Sequence, residues 1–71
     1  MPDEKLSRFL EQANSIKRRI RKCETAAEVA TVADEERANV QAMAETDEGR
    51  PLAIQIANLK AYRLWEISKP L

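Results

Sequence analysis

Histidine is absent from these 71 residues, and cysteine and glycine occur once each. Without histidine the commonest general base and a principal zinc ligand are missing, and one cysteine neither closes an internal disulfide nor supplies a Cys/His cluster. A single glycine cannot build a glycine-rich phosphate cradle. Aromatic residues make up 4% of the chain, which leaves no array of rings for base stacking. No apolar run approaches the roughly 20 residues a bilayer requires, and no apolar h-region opens the sequence. The acidic residues Glu35 and Glu36, and Glu45, Asp47 and Glu48, lack the spacing of a cation-binding loop and read as a solvated face and a polar turn. These absences point to a non-enzymatic chain with no cofactor, metal, membrane span or small-molecule substrate, expected in the cytoplasm.

Charge is abundant but balanced, with 12 Lys and Arg against 12 Asp and Glu and a formal net charge of zero. A molecule without a net field does not steer polyanions toward itself at long range. Size sets the next bound. A single small domain of this length buries only about 60% of the surface its unfolded chain exposes, and its core supplies roughly 3–5 kcal/mol. Small scaffolds commonly add a disulfide, a metal or an intermolecular contact. With the first two excluded, contact with another protein or a second copy is the expected staple.

No segment alternates apolar and polar residues with the period of a strand, whereas helical spacing recurs throughout. The expected class is all-α: a small three-helix bundle with helices at about 3–22, 25–46 and 51–68, or four helices if the middle one breaks near Asp34. In the first segment Leu6, Phe9, Ala13, Ile16, Ile20 and Cys23 follow at steps of three and four, a heptad seam that Leu10 widens. Asp3 suits its N-cap, and Lys17, Arg18, Arg19, Arg21 and Lys22 crowd its end, where the helix dipole favours cations. Arg21 and Lys22 are neighbours that can lower a thiol pKa, but Cys23 lies on the seam and reads as a small buried hydrophobe.

Thr25-Ala-Ala-Glu28 forms a capping box for the middle segment, able to satisfy two orphan amides. Its apolar stripe of Val29, Val32 and Ala33 is interrupted by Asp34-Glu35-Glu36 before resuming at Val40, Met43 and Ala44. Hence the expected break, with Asp34 itself a candidate cap. Gly49 is expected in the left-handed conformation that ends a helix, and Pro51 at the first position of the next. Lys69 precedes Pro70 and is pushed out of the α region.

The last segment is apolar on two sides. Ala53, Ile54, Ala57, Ala61, Leu64 and Trp65 make one face, whose small residues suit close packing within the domain. Leu52, Ile56, Leu59 and Ile67 make another, edged by Lys60 and Arg63, with Tyr62 between the two. A helix apolar on most sides is normally enclosed, and an apolar stripe edged by cations suits a groove-binding or self-associating helix. Leu52, Ile56, Leu59, Lys60, Tyr62, Arg63 and Ile67 are therefore the expected partner-binding residues. The function expected is that of a regulatory antagonist or adaptor, such as an anti-activator or antitoxin-like protein, engaging another protein or itself through this helix. One alternative is a nucleic-acid-binding accessory role for Lys17, Arg18, Arg19, Arg21 and Lys22, which would equally suit an acidic protein partner. The other is a structural homo-oligomer.

Overall fold

A computed structural model describes residues 4–69. It contains four helices, α1 (Glu4–Lys22), α2 (Ala26–Glu35), α3 (Arg37–Ala44) and α4 (Arg50–Ser68), and no strand among the described residues. The chain is all-α. None of these helices is long and apolar enough to cross a membrane. The N-cap expected at Asp3 lies outside the described residues.

α1 buries Ala13, Ile16 and Ile20 and leads directly to buried Cys23, four consecutive positions of its heptad seam. Phe9 is half-buried, whereas Leu6 and Leu10 are exposed. The reason is axial offset. Lys17 hydrogen-bonds to Gln55, and Arg63 to the Cys23 carbonyl, so α1 and α4 run parallel with residue 17 level with residue 55. Counting back along both helices at 1.5 Å per residue, Leu10 and Leu6 lie beyond the first turn of α4. They have less of α4 beside them to cover them.

Thr25 caps α2: its hydroxyl oxygen accepts the Glu28 N–H at 3.1 Å. The reciprocal half of the expected box differs, because the Thr25 hydroxyl donates to the Glu28 carboxylate at 3.2 Å. The middle segment breaks at Glu36 (φ −97°, ψ 3°), two residues after the expected Asp34, and α3 ends at Ala44, two residues short of the expected Thr46. Asp34 caps nothing and pairs instead with Arg37. Acidic residues crowd the C-terminal end of α2, which has no basic residue in its last turn and therefore an unfavourable dipole interaction. Arg19 reaches across from α1 to Glu35 and, at 3.5 Å, to Glu36. The break is shallow: the Glu36 N–H bonds the Val32 carbonyl, and the Glu36 carbonyl accepts the Val40 N–H, both at 2.9 Å.

Between α3 and α4 the chain turns at Thr46, whose hydroxyl donates to the Met43 carbonyl and accepts the Gly49 N–H, each at 3.0 Å. The left-handed conformation expected at Gly49 is corrected, since Gly49 is right-handed (φ −90°, ψ −18°). Glycine is needed there for space. A Cβ would fall 2.6 Å from the Met43 carbonyl oxygen and 2.7 Å from its Cα, so the entry to α4 crosses directly over the end of α3. Pro51 follows in the first turn, and Lys69 closes α4 in an extended conformation (φ −62°, ψ 128°).

α4 packs against each of the other three helices. The core consists of Leu52, Ala53 and Ile56 with Ala13, Ile16, Ile20, Cys23, Val29, Val32 and Met43, and Phe9, Val40, Leu59, Leu64 and Ile67 close its edges. The molecule is elongated, 49 × 19 × 17 Å.

Candidate functional site

The two faces of α4 exchange the roles expected for them. Leu52 and Ile56, expected at an interface, are 6% and 5% exposed. Leu59, Lys60, Arg63 and Ile67 are half-buried, and of the seven expected residues only Tyr62 is exposed. On the face expected to be core, Ala53 is buried and Leu64 half-buried, but Ile54, Ala57, Ala61 and Trp65 are exposed. Volume accounts for the exchange. A small core is filled better by the branched side chains of Leu52, Ile56 and Leu59 than by alanines, and each buried methylene is worth about 0.8 kcal/mol.

Arg63 shows the same reversal in polar terms. Its Nε and Nη2 donate to the Cys23 carbonyl at 2.9 and 2.5 Å, and its Nη1 lies 3.5 Å from Glu66. The Cys23 carbonyl follows the last turn of α1, where helix carbonyls lack partners and the dipole is negative. Arg63 is thus a clamp between α1 and α4, not the interface anchor expected of it.

What α4 turns outward is a stripe one side chain wide and about three turns long: Ile54, Ala57, Ala61 and Trp65, at steps of three, four and four. Ile54 is 55% and Trp65 54% exposed. Tyr62, 56% exposed, lies against Trp65 with ring centres 5.8 Å apart and planes tilted by 37°, and the Lys69 ammonium lies 5.2 Å from the Trp65 ring centre. At Ala57 the stripe borders a groove of about 570 Å³ between α4 and the α2–α3 arm. Ala30, Ala33 and Ala44 line one wall, Ala57 and Leu64 the other, and Ile20 the floor, with Lys60 and Arg37 also in the lining. Alanines on both walls leave the groove room, since each supplies only a methyl group to it.

The basic end of α1 is divided. Lys17 donates to Gln55 at 2.6 Å. Arg19 is occupied by Glu35 and Glu36, and the hydrogen bond it donates to the Glu35 carboxylate holds its pKa above the usual arginine value. Arg18, Arg21 and Lys22 are exposed, without an ion pair among the described residues. The five cations do not form one patch, since the core packing of α1 sends Lys17 and Arg19 to opposite neighbours. Cys23 is buried, and its thiol donates to the Arg19 carbonyl at 3.2 Å. Among the described residues no group of three or more Cys, Asp or Glu is placed to hold a metal ion.

Comparison with protein-family models, with curated proteins and with solved structures finds no match for this chain.

Proposed function

We propose that this chain is a small, non-catalytic interaction module, a helical bundle that binds a helix of another polypeptide along the outward face of α4. In that role it acts as a regulatory antagonist or adaptor, covering or joining the surface it binds. The observation that carries this reading is the exposure of Ile54, Tyr62 and Trp65 on α4, the helix that packs most heavily against the rest of the molecule. Scattered exposed apolar residues are ordinary, but a continuous patch of several hundred Å² marks an interaction surface. An amphipathic helix recognises such a surface through apolar anchors at steps of three and four, the spacing found on α4 itself. Tyr and Trp are typical anchors of such contacts, because one rigid side chain covers a large area.

The test compares tagged wild-type chain with two arginine variants, each at an exposed alanine. Ala61→Arg lies in the stripe, and Ala27→Arg lies on α2 among residues lining a different depression. Proteins retained by the wild type and by Ala27→Arg, but lost with Ala61→Arg, are the expected result. Identical sets retained by all three chains would overturn the reading.

A further inference from the structure

The order of residues along the α4 stripe identifies its occupant. Ile54, Ala57, Ala61 and Trp65 run large, small, small, large, and reversing the helix leaves that order unchanged. Two α4 helices laid antiparallel, with a two-fold axis at the level of residues 59 and 60, set Ile54 of each against Trp65 of the other and Ala57 against Ala61. The central alanines interpose only a Cβ, so the axes approach to about 8 Å, the close end of helix packing. The bulky end residues then reach across to the facing helix. The geometry points to a second copy of this chain as the partner, in an isologous antiparallel homodimer through this stripe. This rests on the reading of α4 as the interaction face.

Charge selects the antiparallel direction. Glu45, Asp47 and Glu48 precede α4 and Lys69 ends it. Arg50 neutralises Asp47 in part, at 3.4 Å, but the Asp47 carboxylate remains almost fully exposed. Antiparallel pairing keeps the acidic turns of the two copies at opposite ends of the pair and sets opposite ends of the two helix dipoles side by side. Parallel pairing stacks the two acidic turns on each other and loses the match of large to large across small.

The area is that of a small, reversible interface. With aromatic side chains of about 150–250 Å² each, the exposed parts of Ile54, Ala57, Ala61, Tyr62 and Trp65 offer roughly 400 Å² of apolar surface per copy. With its polar rim the pair buries on the order of 1,000 Å², the lower bound for a specific contact. A contact of this size belongs to the weak, reversible class.

Benzoylphenylalanine placed at Tyr62, an exposed aromatic position beside the stripe, and irradiated in cells producing the chain reads the occupant by mass. A product of twice the chain's mass supports the homodimer. A product of any other mass overturns it while leaving the interaction reading standing, and no product removes both. For purified chain, sedimentation over a dilution series is expected to show a monomer–dimer equilibrium. Ala61→Glu should weaken it by more than about tenfold, because each new carboxylate is buried without a partner against Ala57 of the facing copy, with far-UV circular dichroism of the monomer unchanged. A wild-type chain that stays monomeric through millimolar concentration overturns the proposal.

Discussion

Ile54 and Ile56 are the same side chain two positions apart on one helix, 55% and 5% exposed, and truncating each to alanine tests which face of α4 is core. Ile56→Ala removes its methylene and methyl carbons from among fully packed neighbours, a change that costs about 2–5 kcal/mol in transfer and cavity terms together. Ile54→Ala removes the same atoms from a half-solvated position. The better helix propensity of alanine offsets part of that loss, leaving about 0.5 kcal/mol. Starting from a stability of about 4 kcal/mol, a loss of about 3 kcal/mol lowers the folded-to-unfolded ratio from roughly 900 to roughly 5. Urea titration followed by far-UV circular dichroism measures the difference. With a slope of about 1 kcal/mol per molar urea, the midpoint falls by about 3 M for Ile56→Ala and by under about 1 M for Ile54→Ala. The titration belongs at low micromolar concentration, where self-association adds little to apparent stability. Equal shifts, or a larger one for Ile54→Ala, would refute the assignment of the buried face.

Gly49→Ala is expected to cost about 1–3 kcal/mol, since its new Cβ meets the Met43 backbone, and thermal unfolding should shift down by about 4–8 °C per kcal/mol. An unchanged melting temperature would show that α3 and α4 do not cross there as closely as described. Arg63→Met keeps most of the packing stem but removes both hydrogen bonds to the Cys23 carbonyl. For a partly exposed charged donor the loss should be about 1–2 kcal/mol. Arg63→Lys, with one donor group in place of the fork, should recover part of that loss, and equal stability of all three chains would count against the clamp.

The helices themselves were legible because their signals are local. Thr25 and Glu28 announce a helix start, Gly49 and Pro51 punctuate the next, and the heptad seam of α1 is amphipathic enough to fix which side is buried. The rotation of α4 was not legible, because apolar residues lie on every side of it and periodicity then gives no preferred phase. Volume carried the missing information, since Leu52, Ile56 and Leu59 fill a core that Ala57 and Ala61 cannot. Arg63 was a second unused signal: a helix ending near Cys23 leaves carbonyls that a cation on a neighbouring helix can satisfy. Gly49 was located correctly for the wrong reason, because the close crossing is made where the turn at Thr46 folds Gly49 back over the Met43 backbone, which leaves no local trace in the sequence. Of the expected partner-binding residues Leu52, Ile56, Leu59, Lys60, Tyr62, Arg63 and Ile67, the rotation of the helix leaves only Tyr62 exposed.

The parallel, staggered arrangement of α1 and α4 has a mechanical consequence. Residue 17 lies level with residue 55, so the described chain begins near one end of a 49 Å body and finishes near the other. Tension applied at those two ends pulls α1 and α4 in opposite directions along their shared interface. The load falls on that interface in shear, so the Ile16, Ile20, Leu52 and Ile56 contacts and the Arg63 clamp must slip together instead of opening one at a time. Drawn from its ends, the molecule resists as a lap joint does.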